Sequence, residues 1–104
     1  MRSPSSDMTE KELDAEVRKL AKLCGWLYYH TYRSKRSPAG FPDLVLVRPP
    51  RIVYAELKSK DGKVTPEQKI WLDKLAGCPQ NEVYLWRPDE LQEIADVLST
   101  KEVE

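Results

Sequence analysis

The chain has 104 residues, 40% of them hydrophobic and 33% charged, which gives room for one soluble domain around one modest core. No apolar stretch approaches the roughly 20 residues a membrane span needs, and the opening Met-Arg-Ser-Pro-Ser-Ser-Asp holds no apolar segment of the secretory kind; the expected setting is cytoplasmic. Net charge is zero but unevenly spread: eight basic residues meet three acidic ones between Gly25 and Lys63, and one basic residue meets six acidic ones between Pro88 and Glu104. A face that binds a polyanion and an ordinary acidic last helix both fit that distribution.

Residues 1–8, rich in serine and proline, read as a tail, and 9–104 as a single domain. Thr9, with Glu12 three residues on, is a capping box that opens a helix. Leu13, Val17, Leu20, Ala21 and Cys24 follow at helical spacing and Gly25 supplies the stop. Trp26 to Tyr32 is aromatic and β-branched enough for a strand. A loop with two prolines, a glycine and three basic residues leads to two more strands, Asp43 to Val47 and Ile52 to Lys58, joined by Arg48-Pro49-Pro50-Arg51. Because a Pro-Pro turn cannot be a tight primed turn, a longer loop is expected there. Thr65, Pro66 and Gln68 then mark a helix start as cap, first turn and capping box. Ile70, Trp71, Leu72 and Leu75 give that helix its apolar content, and Gly77 ends it. Glu82 to Trp86 is a short strand and Asp89 to Ser99 a last helix. Cys24 and Cys78 lie at helix ends without metal-ligand spacing and are expected as two reduced thiols.

The central hairpin carries the chemistry. With Pro49 and Pro50 at its turn, Val47 faces Ile52, Val45 faces Tyr54, and Asp43 falls opposite Glu56; Lys58 shares their face. Leu44, Leu46, Val53, Ala55 and Leu57 take the other face, which is the expected core side. Facing carboxylates repel unless a cation or proton sits between them, and oxygen ligands suit Mg²⁺ or Mn²⁺, ions that also bind phosphate. A lysine at such a site positions or deprotonates water and offsets charge on a phosphate. A solvated face on which Lys58 simply neutralises the two acids is the alternative.

Gly40-Phe41-Pro42-Asp43, Glu56-Leu57-Lys58 and Thr65-Pro66-Glu67-Gln68-Lys69-Ile70-Trp71-Leu72 together resemble the PD-(D/E)XK nuclease superfamily. Within it, the chain is most similar to the virus-type replication-repair nuclease (VRR-NUC) domain, from about Asp14 to Trp86. The resemblance implies an α/β, restriction-endonuclease-like core: a mixed sheet flanked by helices in the order α-β-β-β-α-β-α. It implies that Asp43 and Glu56 bind Mg²⁺ or Mn²⁺ with the Leu57 carbonyl as a further ligand, that Lys58 is the active lysine, and that Gln68 orients it or the water. A glutamate on the first helix is also implied; Glu16 fits best, with Glu12 one turn away. Arg33, Lys35, Arg36 and Lys60 are the expected DNA contacts, whereas His30 and Trp71 are expected to be structural. The implied activity is that of a metal-dependent DNA endonuclease in a bacterial or phage-infected cell, resolving Holliday junctions as a homodimer. A less selective nicking or flap nuclease of phage replication and a non-catalytic DNA-binding module are the alternatives.

Overall fold

The computed structural model describes residues 7–32 and 35–101. Most of the expected tail and Arg33 lie outside the described residues. The elements run α1 (Glu10–Leu23), β1 (Leu27–His30), β2 (Leu44–Arg48), β3 (Arg51–Leu57), α2 (Pro66–Ala76), β4 (Asn81–Trp86), a 3₁₀ turn (Pro88–Glu90) and α3 (Leu91–Ser99). The sheet order is β1-β2-β3-β4. β1, β2 and β3 pair antiparallel as a meander, while β4 joins β3 in parallel after the crossover through α2. The fold is the expected mixed α/β arrangement in the expected order.

Both capping boxes form. Thr9 Oγ1 accepts from Glu12 N at 3.1 Å while Glu12 returns a carboxylate oxygen to Thr9 N at 3.0 Å. α1 ends as its sequence dictates: Gly25 takes φ +82° and Trp26 N reaches back to the Ala21 carbonyl at 2.8 Å. The β2–β3 register pairs Val47 with Ile52 and Val45 with Tyr54. Arg48 pairs directly with Arg51, so the reversal takes two residues and is shorter than expected; the Pro49–Pro50 peptide is cis, as in tight turns with a cis proline at their third position.

Alternation then sorts the sheet. Leu44, Leu46, Val53, Ala55 and Leu57 are buried with Leu13, Val17 and Ala21 of α1 and Ile94 and Leu98 of α3. α2 lies on the opposite face and buries none of its residues fully; Ile70, expected among its packing residues, is exposed. It leaves the β1–β2 half of that face open. Leu27 and Tyr29 there are 74% and 60% exposed, beside a concavity formed with Phe41, Val45, Val47 and Tyr54.

The turn end of the hairpin is tied to both core helices by two arginines. The Arg48 and Arg51 guanidinium groups stack on the Trp26 ring, 4.7 and 4.9 Å from its centroid. Arg48 donates to the Cys24, Leu98 and Thr100 carbonyls, and Arg51 to those of Val97 and Thr100. These are the last carbonyls of α1 and α3, which lack helical partners and carry the negative end of the helix dipole. Arg51, 5% exposed, also forms a fork with Glu82: Nε and Nη2 each lie 2.7 Å from a carboxylate oxygen. Two of the eight basic residues of the central segment are therefore structural.

Arg51 binding holds the Glu82 carboxyl below its usual range. Its stabilising contribution is full above the ordinary glutamate pKa and fades as pH falls through the lowered folded-state value. Replacing Arg51 by alanine should cost about 3–5 kcal/mol at neutral pH, because it strands a mostly buried carboxylate. Urea denaturation of parent and variant at pH 7 and pH 3 checks this: the difference between them should shrink at pH 3.

Candidate active site

The site lies at the end of the hairpin away from the prolines. Asp43 stands just before β2, and its carbonyl accepts from Thr31 N at 2.8 Å, extending the β1–β2 ladder by one bond. Its side chain reaches across to β3, where Oδ2 accepts from Leu57 N at 2.8 Å. Glu56 precedes Leu57 on the same strand and points to the face opposite the core. It is 1% exposed. Lys58, 8% exposed, continues that face, with Nζ 3.6 Å from Glu56 Oε2. Gln68 comes in from the first turn of α2. Its Oε1 accepts from Thr65 N at 2.9 Å to complete the capping box, and its Nε2 donates to Glu56 Oε2 at 2.9 Å. One amide thus caps the helix and holds the acid at the same time.

The loop ahead of Asp43 is docked on the same helix. Gly40 has φ +100°, and a Cβ there would stand 2.5 Å from the Glu67 carbonyl carbon and 2.9 Å from Gln68 N. Only glycine lets the loop approach that turn so closely. Trp71 Nε1 donates to the Ala39 carbonyl at 3.2 Å, and its ring meets Phe41 edge-on at 5.2 Å. Gly40-Phe41-Pro42-Asp43 and Gln68 are therefore positioned by one contact between loop and helix.

Electrostatically the pair of acids is unbalanced. Burial, and after it the Asp43 carboxylate alongside, push the Glu56 carboxyl up to about 8, while Lys58 pulls the other way. Glu56 Oε1 is buried and lacks a hydrogen-bond partner among the described residues. A carboxyl so placed keeps its proton near neutral pH unless a cation takes the proton's place, and a divalent cation satisfies both oxygens' need for positive charge. Among the described residues no three His, Cys, Asp or Glu side chains gather closely enough to hold an ion. Two carboxylates nevertheless fit Mg²⁺, which keeps several waters and takes one or two protein carboxylates.

Glu16 is not brought to this cluster. Its carboxylate, half-buried, bonds Lys19 Nζ at 3.0 Å one turn along α1, and Glu12 is engaged by the capping box. The α1 side chains that reach the site line a cleft of about 330 Å³ together with Asp43: Glu10, Lys11 and Asp14, facing His30 and Tyr32 of the chain after α1. Asp14 accepts from Tyr28 Oη and lies 3.4 Å from His30 Nε2, so His30 is held against α1. The i, i+4 spacing of Glu10 and Asp14 was the available signal for this face. Glu16 is displaced because it sits two positions past Asp14, about 200° around the helix. Lys35, Arg36 and Lys60 are exposed.

A family model described as the VRR-NUC domain matches residues 3–86. The chain belongs to the VRR-NUC family. VRR-NUC domains are nucleases of the PD-(D/E)XK type, typically dependent on divalent metal, and the substrate such a domain implies is DNA. A solved structure described as a VRR_NUC domain shares the fold, with TM-score 0.68 at 18% identity over 86% of this chain and 97% of that one. No curated protein sequence matches the chain significantly. Among the described residues no helix of this VRR-NUC chain is long and apolar enough to cross a membrane.

Two measurements test this construction of the site. Gly40→Ala should destabilise the protein by about 1–3 kcal/mol through its left-handed backbone and the blocked contact with α2, read as a lower midpoint in chemical denaturation. The raised Glu56 carboxyl contributes stability that is present near pH 4.5 and lost as pH rises to about 8. The metal-free protein should therefore lose stability over that window, and Glu56→Gln should flatten the slope.

Proposed function

We propose that this VRR-NUC protein is a Mg²⁺- or Mn²⁺-dependent endonuclease that hydrolyses DNA phosphodiesters at branched substrates, four-way junctions above all. The observation that supports this best is the buried Glu56, with one oxygen fixed by Gln68 and the other without a donor, beside a second carboxylate and a lysine.

Asp43 and Glu56, with the Leu57 carbonyl, would hold the ion. When bound, the ion supplies positive charge to the phosphate and lowers the pKa of water. Gln68 keeps the Glu56 carboxylate in one orientation. The Lys58 ammonium directs the attacking water and offsets charge developing on the phosphate. Lys35, Arg36 and Lys60, exposed on nearby loops, attract the DNA backbone, so binding weakens as salt rises.

Junction resolution in turn sets the stoichiometry. Resolving a junction takes two symmetric cuts, and each chain carries one such site, so a two-fold dimer is the working form. The open apolar face of β1 and β2, with Leu27 and Tyr29, is the surface we assign to the second copy.

Labelled four-way junction, flap and linear duplex, incubated with Mg²⁺ or Mn²⁺, test this. Junction should be cut preferentially and symmetrically, and Asp43→Ala and Lys58→Ala should each lower the rate by about 100-fold or more. Equal cutting of duplex overturns the junction preference, and a variant as active as the parent overturns the site assignment.

A further inference from the structure

The segment between Lys58 and α2 is folded by one side chain from elsewhere. Arg87 follows β4 directly, and its Nη1 donates to three carbonyls of that segment: Ser59 at 2.8 Å, Gly62 at 2.7 Å and Lys60 at 3.3 Å. Gly62 N closes the same turn on the Ser59 carbonyl at 3.1 Å. Among the described residues no carboxylate forms an ion pair with the Arg87 guanidinium, and Glu90 Oε1 accepts only from its backbone N at 2.9 Å, so the three carbonyls are the partners of its charge. The residue before it holds the other end of the segment: the Trp86 carbonyl accepts from Lys58 N at 3.0 Å.

The turn in turn packs on Lys58. A Cβ on Gly62 would stand 3.4 Å from Lys58 Cδ and 3.1 Å from Ser59 Oγ, so the Gly62 backbone lines the stem of the lysine. A free lysine side chain carries about 2 kcal/mol of rotamer entropy. Here the stem is confined, and the ammonium is left 3.6 Å from Glu56 Oε2.

We propose that Arg87 is a positioning residue for Lys58, acting through the Ser59–Gly62 turn; its bearing on catalysis rests on the nuclease function proposed above. Without the guanidinium, three carbonyls lose their shared donor, the turn loosens, and the Lys58 stem gains conformations that carry its ammonium away from Glu56. Lys60 keeps its charge in the loosened turn, so attraction of DNA persists and the loss falls on the chemical step.

Two readouts on the full-length protein test this. The first is reductive methylation of lysines in the absence of DNA and metal, followed residue by residue by peptide mass spectrometry. In Arg87→Gln, methylation of Lys58 should accelerate several-fold, while Lys69, already exposed on α2, should be unchanged. Arg87→Lys, which keeps a donor but reaches fewer carbonyls, should fall between parent and Arg87→Gln, and it carries the test if Arg87→Gln does not fold. The second readout is cleavage: kcat should fall about 10- to 100-fold, as for a misplaced group, with KM nearly unchanged and partial recovery in Arg87→Lys. Leu98→Ala, which lowers stability from the core, should reproduce neither effect. Unchanged Lys58 methylation in both Arg87 variants overturns the proposal, as does a loss confined to KM. A parent protein that cuts no DNA with either metal instead overturns the nuclease reading, and methylation then still decides whether Arg87 confines Lys58.

Discussion

The structure turns on the confrontation of Asp43 and Glu56 across the end of a hairpin. A buried carboxylate facing another carboxylate is unfavourable on two counts, lost hydration and like-charge repulsion, and a single lysine 3.6 Å away offsets only part of that. What surrounds the pair fixes it rather than relieving it. Leu57 N holds one Asp43 oxygen and Gln68 holds one Glu56 oxygen, while the remaining Glu56 oxygen has no donor. Sites that concentrate unrelieved charge in a fixed geometry are sites prepared for a ligand of opposite charge.

The rest of the fold serves that geometry from two directions. On the core face, α1 and α3 bury the alternate residues of the hairpin, which sets the register that places Asp43 by Glu56. Arg48 and Arg51 lock the far end of the hairpin to the C-termini of both helices over Trp26. On the other face α2 buries no residue fully, and its attachment combines Gln68 to Glu56, Trp71 to Ala39 and to the Phe41 ring, and the close approach of Gly40.

The strands, both capped helices and the hairpin register were legible in the sequence because each rests on a local rule, namely alternation, the capping box or turn position. The resemblance implies only that Gln68 orients Lys58 or the water; its bond to Glu56 needs the crossover that brings α2 back over β3. Other roles required the assembled structure. Arg48, Arg51 and Arg87 look like charges available to a polyanion, yet all three bind backbone carbonyls of segments remote in sequence. Glu16 fits the resemblance best, but helix phase turns Glu10 and Asp14 toward the cleft instead. The Pro49–Pro50 reversal is tighter than expected, with Arg48 paired directly with Arg51, a turn the residue types permit but do not dictate.

The central claim is that the acid pair is built to hold a divalent cation. Calorimetric titration of the DNA-free protein with Mn²⁺ at pH 8 tests it most directly. The parent should bind, and Asp43→Asn and Glu56→Gln should each lose affinity by about 10-fold or more, the scale on which such a site depends on its ligands and their support. Binding of Mn²⁺ to Glu56→Gln as tight as to the parent would contradict the account.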